Sequence, residues 1–203
     1  TLLDPKHVAA PACKPVTVLF LDLRDFTALS SRYPAETVVD LLNQFFAVAV
    51  AAIARERGHV NKFLGDGLLA VFGAPVEVED AADHALRAAV ETQRQLEELN
   101  TKLEARQLPR LKMGAAVHSG QAVVGTIGSP EHKLEYTVVG EAVNLASRLE
   151  GLNKRFGTEI LLTRETAEQL KNSYPLKPLP ATEIRGIPRL VELFTLSAPR
   201  EPS

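Results

Sequence analysis

The apolar positions of this chain change period several times, and each change marks an element. Val16 to Leu21 is an unbroken β-rich apolar run, which predicts a buried central strand that stops at Asp22. Asp25, Phe26 and Thr27 then supply the polar punctuation of a helix start. From Pro34 the period becomes helical, with Val38, Leu41, Leu42, Phe45, Ala49 and Ile53 recurring three and four apart. Gly58 is expected to close that helix as its C-cap glycine. A hairpin follows, from His59 to Leu64, through Gly65-Asp66-Gly67, and back along residues 68–72. Asp80 can cap a second helix, on which Leu86, Ala89, Leu96, Leu99 and Leu103 form one apolar face. Past Pro109, strands are predicted over residues 111–117 and 121–127, with Ser119-Gly120 as the turn between them. A strand at 135–139, a helix over about 141–154, a strand at 159–162 and a helix at 164–170 come next. Six of the 13 prolines fall in the last 33 residues, so that stretch is expected to hold loops and edge strands. The order predicts an α+β sandwich: a βαββαβ core with additional C-terminal strands and helices, and helices on one face of a largely antiparallel sheet.

Composition narrows the class of partner. At 203 residues and 45% hydrophobic content, the chain can form one compact domain with a real core, and no linker or repeat divides it. A formal net charge of −2 and 5% aromatic residues exclude the basic, base-stacking surface of a nucleic-acid binder, so the partner is expected to be small. Cys13 is the only cysteine; no intrachain disulfide can form, and a reducing, cytoplasmic setting fits. No apolar run is read as reaching the roughly 20 residues that cross a bilayer, and no signal-peptide pattern is present. Thr1 in the place of Met predicts a piece of a longer chain, with regulatory domains or a membrane attachment elsewhere.

Candidate chemistry begins with two aspartates. Asp22 ends the buried strand and Asp66 sits at the hairpin tip, on edges that the topology makes adjacent, so both carboxylates can converge. Two carboxylates plus substrate phosphates are the usual way to hold Mg²⁺. On these residues alone the plainer reading, a turn aspartate and a local cap, stays open. No Gly-x-x-x-x-Gly-Lys-Ser/Thr motif exists, and Gly120, Gly125 and Gly128 lack dinucleotide spacing. The turn after Asp22 instead leads through Phe26 and Thr27 into a helix start whose free N–H groups could hold a triphosphate. Asn144 and Arg148 lie one turn apart on one helix face, where an amide and a guanidinium could meet a ribose and a phosphate together, or simply face water. Lys62, on the hairpin strand between apolar neighbours, reads more readily as edge protection than as a ligand.

Taken together, FLDLRDFT at 20–27, KFLGDG at 62–67 and EYTVVGEAVNLASRLE at 135–150 resemble the class III adenylyl and guanylyl cyclase catalytic domain, in order and at the family's separations. The resemblance runs from about Val16 to Leu196 and implies a ferredoxin-like core. It implies that Asp22 and Asp66 bind two Mg²⁺ per site, with Mn²⁺ able to substitute. Lys62 matches the position that contacts the purine, where lysine goes with adenine. Thr137 matches its partner at the base and points to the subclass that includes bicarbonate-stimulated cyclases, which makes bicarbonate an expected effector. Asn144 and Arg148 match the pair that positions ribose and stabilises transition-state charge, and Arg185 falls where relatives place a basic residue near the triphosphate. Arg24 departs from the small or aliphatic residue common in relatives and is expected to face solvent.

What the resemblance implies is ATP turned into cyclic AMP and pyrophosphate, at sites shared across a head-to-tail homodimer. A guanylate cyclase and a catalytically silent nucleotide-binding module are the alternatives; Lys62 disfavours the first and the filled site positions the second. The expected organisation is a lead-in over residues 1–15, a catalytic domain over 16–197 and a tail over 198–203.

Overall fold

The structure, a computed structural model, describes residues 10–129 and 132–196. Its axis is β1 (Ala12–Leu23), which pairs antiparallel with β3 (Gly67–Phe72) on one side and β4 (Met113–Ser129) on the other. β2 (His59–Leu64) pairs with β3 through the tight Gly65-Asp66 connection. β5 (Lys133–Val139) pairs with the second half of β4. β6 (Ile160–Thr163) runs parallel to β4, and β8 (Leu190–Leu196) and β7 (Leu176–Glu183) follow antiparallel. The order β2-β3-β1-β4-β6-β8-β7 contains the expected βαββαβ core in its first four strands. Pro178 and Pro180 sit on the edge strand β7, where a missing N–H costs little.

The helices lie on both faces of the sheet, not one. α1 (Phe26–Ser30) and α5 (Arg164–Ala167) are short. α2 (Ala35–Arg55) and α3 (Ala81–Ala105) cover one face, where Leu19, Leu21 and Leu23 of β1 join Leu41, Phe45 and Leu86 in the main core. α4 (Glu141–Phe156) covers the other, where Val16 and Val18 meet Ala146, and Ala116 meets Leu145 and Leu149. This is why the apolar run of β1 does not alternate: a strand covered on both sides must be apolar on both. β5 also crosses this second face, since Val138 packs with Val18, Leu69 and Val71.

Four local expectations change. Ser119-Gly120 is no turn, because β4 runs straight through it with Gly120 opposite Val16 and Ser119 opposite Thr17. The glycine answers to packing, since a Cβ there would lie 3.2 Å from Ala142 Cβ of α4. At the end of α2 the left-handed residue is Arg57 (φ 60°), not Gly58. Gly58 is instead confined by Phe72 and Ile53, which a Cβ would meet at 2.6 and 2.7 Å. Asp80 occupies the N-cap of α3, but its side chain makes no cap hydrogen bond. Finally, α2 is 21 residues long with a mean hydropathy of 1.8 over its most apolar stretch, enough to cross a membrane by length and composition. Here it buries Val38, Leu41, Phe45, Ala49, Ala52 and Ile53 within the domain.

Candidate active site

Asp22 leaves β1 opposite two glycines, Gly67 of β3 and Gly114 of β4. A Cβ at Gly67 would stand 2.5 Å from Leu21 O and 2.6 Å from Asp22 Oδ1, so only glycine leaves the carboxylate its place. Asp66, on the turn between β2 and β3, is tied to the same strand end by its carbonyl, which accepts from Leu23 N–H at 3.3 Å. Both aspartates line one cavity of about 230 Å³, together with Gly67, and Ser147 and Glu150 of α4. Burial, then the charges of Asp66 and Glu150, push the Asp22 carboxyl up to about 7, against an opposing pull from Arg24. Glu150 is raised as well, by burial first.

Arg24 does not face solvent. It lies 3.7 Å from Glu150, with only 17% and 14% of the two side chains exposed, and its Nη2 is buried without a hydrogen-bond partner among the described residues. A Cβ at Gly114 would stand 2.5 Å from that Nη2 and strike the Glu150 carboxylate. The missing side chain at 114 thus makes room for a cation beside two aspartates. Chain position explains the burial: Arg24 N–H donates to Lys112 O at 2.7 Å, which keeps the strand end on the sheet and turns the guanidinium toward α4.

A second polar group forms where β2 meets β5. Lys62 Nζ lies 3.6 Å from Glu135, and both side chains are partly exposed. Asn61 Nδ2 donates to Tyr136 O at 3.1 Å, and the buried Thr137 donates its Oγ1–H to Asn61 Oδ1 at 3.2 Å. Lys62 and Thr137 are therefore brought into one neighbourhood through Asn61 and Glu135. β2 is also an edge strand, so the protective role of Lys62 fits its place as well.

Asn144 and Arg148 are exposed on α4, while Leu145 and Leu149, the residues that follow each of them, are fully buried. The Arg148 guanidinium rests over Gly186 (φ 76°), where a Cβ would come within 2.8 Å of Nη1, which places it beside the turn that carries the exposed Arg185. Phe26 packs against the main core from α1, and Thr27 is exposed there. Within one chain, then, Asp22 and Asp66 converge, Lys62 and Thr137 are linked, and Arg148 meets the Arg185 turn. None of Lys62, Thr137, Asn144, Arg148 or Arg185 lines the cavity of the two aspartates. Asn61, Ser147 and Glu150 escaped the reading of the sequence, whereas Arg24 was singled out but expected in solvent. Ser147 and Glu150 had a signal, since they stand three apart on α4 and so share a face.

Among the described residues no group of three or more His, Cys, Asp or Glu side chains is arranged to hold a metal. The donor set fits Mg²⁺ nonetheless. That ion takes hard oxygens, is held through one or two carboxylates, and completes its shell with substrate phosphates and water. Two crowded carboxylates, one pushed toward protonation, are what a divalent cation would relieve.

Comparison with known proteins agrees with this geometry. Residues 8–198 match the family described as the adenylate and guanylate cyclase catalytic domain. The chain is 35% identical over 179 residues to adenylate cyclase 1 of Rhizobium meliloti, covering 88% of this chain and 27% of that protein. It is 30% identical over 199 residues to an adenylate cyclase of Anabaena cylindrica, covering 95% of this chain and 38% of that one. It thus spans well under half the length of these relatives. Among solved structures, the adenylyl cyclase CyaB from P. aeruginosa superposes with a TM-score of 0.86 at 27% identity, over 94% of this chain and 97% of that one. The guanylyl cyclase Cya2 superposes with a TM-score of 0.82 at 32% identity, over 96% of each. The chain belongs to the adenylate and guanylate cyclase catalytic domain family.

Proposed function

We propose that this domain, residues 16–197 by the sequence reading, is an adenylate cyclase that converts ATP to 3′,5′-cyclic AMP and pyrophosphate. The observation that carries the reading is the convergence of Asp22 and Asp66 in one cavity at the ends of central strands. The family holds both adenylyl and guanylyl enzymes, so the base must be argued from the residues. The Lys62 ammonium can only donate, which suits the N1 acceptor of adenine and opposes the N1–H of guanine. Relatives named adenylate cyclases support the same choice.

In the proposed reaction the ribose 3′-oxygen attacks the α-phosphorus in line, the bond to the β-phosphate oxygen breaks, and pyrophosphate leaves. Two Mg²⁺ ions held by Asp22 and Asp66 would supply activation of that hydroxyl and charge neutralisation on the triphosphate, with Mn²⁺ able to replace them. Arg148 holds charge on the α-phosphate as a positioned guanidinium, and Asn144 orients the ribose. Phe26 and Thr27 lead the backbone past the phosphates, and Arg185 lies toward the triphosphate. Thr137 faces the base beside Lys62, and its resemblance to the bicarbonate-stimulated subclass is the one support for bicarbonate as an effector.

The separation of the polar groups supports a site shared by two copies. One chain would supply Asp22 and Asp66, and its partner Lys62, Thr137, Asn144 and Arg148, so two-fold symmetry gives two equivalent sites. Phe63 (55% exposed), Ile127 (53%) and Val139 (50%) leave apolar surface on the hairpin and the β4–β5 arm that a second copy can cover. The test is direct assay of cyclic AMP and cyclic GMP from ATP and GTP with Mg²⁺ or Mn²⁺. Cyclic AMP with ATP favoured is expected. A GTP preference would establish the guanylate alternative, and no product with either, with nucleotide binding shown by titration, would establish a silent nucleotide-binding module.

A further inference from the structure

β2 carries an irregularity that falls on one residue. Its register with β3 shifts between Val60 and Lys62, which face Ala70 and Leu69, so Asn61 is the extra residue of a bulge. Bulges re-aim side chains, often next to functional sites. This one turns Asn61 away from β3 and toward β5, which pairs only with β4. Three contacts then join β2 to β5: the His59 and Tyr136 rings, edge-on at 6.4 Å; Lys62 with Glu135; and Asn61 with Tyr136 and Thr137.

The Asn61 bonds fix a direction. A carbonyl oxygen only accepts, so Tyr136 O must face the amide nitrogen of Asn61, which leaves Asn61 Oδ1 facing Thr137. That oxygen also only accepts, so the single hydrogen of the Thr137 hydroxyl is engaged, and what remains on Oγ1 is lone pairs. Toward any further partner, Thr137 is an acceptor.

We propose that Asn61 is a positioning residue that locks the Thr137 hydroxyl as an acceptor and thereby selects a 6-amino purine over a 6-oxo purine. The proposal rests on the reading of Lys62 and Thr137 as the base-facing pair. Adenine offers a donor at its 6-amino group and an acceptor at N1, which complements acceptor Thr137 and donor Lys62. Guanine offers the reverse at both positions, acceptor against acceptor and donor against donor. Thr137 alone would not discriminate at the 6-position, since a free hydroxyl rotates to suit either group. The selectivity assigned to Thr137 therefore belongs to the Asn61–Thr137 pair.

The test measures kcat/KM for ATP and GTP, with Mn²⁺, in five proteins: the wild type, Asn61→Ala, Asn61→Asp, Thr137→Val and the Asn61→Ala/Thr137→Val double variant. Asn61→Ala frees the hydroxyl and should narrow the ATP-over-GTP ratio by roughly fivefold or more, the worth of about one hydrogen bond. Asn61→Asp presents only acceptors, so it still receives the Thr137 hydrogen. It should keep the ratio within about twofold of wild type while losing the Tyr136 bond and melting earlier. In the Thr137→Val background, Asn61→Ala should leave the ratio unchanged. Should Asn61→Ala fail to fold, the near-isosteric Asn61→Leu carries the same expectation. A folded Asn61→Ala or Asn61→Leu with the wild-type ratio overturns the proposal, and so does an Asn61→Asp that loses the ratio as fully as Ala. A wild type with no ATP preference contradicts the base reading itself, a result distinct from either.

Discussion

At the Asp22–Asp66 end, like charges crowd onto the ends of central strands; at the Lys62–Thr137 end, each named polar group already has a partner between an edge strand and a crossing arm. The first region brings Asp22, Asp66 and Glu150 together, with Arg24 beside Glu150 and opposing the Asp22 shift, and burial raises both Asp22 and Glu150. The second is closed on itself by Lys62–Glu135 and by the Asn61 bonds. The difference teaches where each half of recognition is stored. The acidic end is loaded for a ligand that brings positive charge, and the other end is pre-oriented for a ligand that brings a fixed pattern of donors and acceptors. A rigid sheet suits the first task, because β1 is held on both sides and cannot splay its carboxylate away from Asp66.

The strongest way to break this contrast is to remove either carboxylate. Asp22→Ala or Asp66→Ala should lower cyclic AMP formation by at least roughly a hundredfold with Mg²⁺ or Mn²⁺, since charge stabilisation by bound metal is worth several kcal/mol. A circular dichroism melt should show the fold retained. More than a few per cent of wild-type activity in either variant would remove that residue from the metal site.

Arg24 offers the next test. Removing one partner of a buried pair leaves the other charge uncompensated, so Arg24→Ala should cost about 3 kcal/mol of stability by urea unfolding. Replacing both partners with apolar side chains should cost much less. An Arg24→Ala loss below about 0.5 kcal/mol, the usual size for a surface change, would mean the pair is not buried as described.

The other end should respond in selectivity, not in turnover as a whole. ATP is expected to be favoured over GTP by at least about tenfold in kcat/KM, or roughly 1.4 kcal/mol. Lys62→Glu should narrow or invert that preference, because a carboxylate accepts from guanine N1–H and repels adenine N1. Parallel losses with both nucleotides would make Lys62 structural.

A further test concerns pH. The Asp22 carboxyl titrates at about 7 in the folded chain, against 3.8 ordinarily. Between those values the native state holds a proton that the unfolded chain has released. Without metal, this group's contribution to stability therefore falls as pH rises from about 4 to about 7 and is level above that. Asp22→Asn should flatten that part of the melting profile. Saturating Mg²⁺ should flatten it too, because the cation binds the deprotonated form. Wild-type and Asp22→Asn profiles of equal slope in the absence of metal would contradict the assignment.

The sequence disclosed these two regions unequally, for physical reasons. Asp22 and Asp66 were legible because strand ends and a Gly-Asp-Gly turn are local signals, and the hairpin stands where the period placed it. The βαββαβ order followed from the same periodicity. Arg24 was misread because nothing near it in the chain shows that α4 brings Glu150 over the strand end, nor that Gly114 leaves the space. Asn61 was missed because a bulge exists only in the pairing of two strands and has no residue signature of its own. Ser119-Gly120 imitated a turn for a related reason: the partner strand β1 runs past it unbroken, and that long-range pairing overrides local turn preference.

What most directly tests the shared site is complementation between two inactive chains, Asp66→Ala and Arg148→Ala. In a mixed dimer one site gathers both lesions and the other gathers none. Random exchange makes about half the dimers mixed, so roughly a quarter of wild-type activity should return on mixing. A mixture that stays inactive, with subunit exchange demonstrated by differently tagged chains, would contradict the account and place the whole site within one chain.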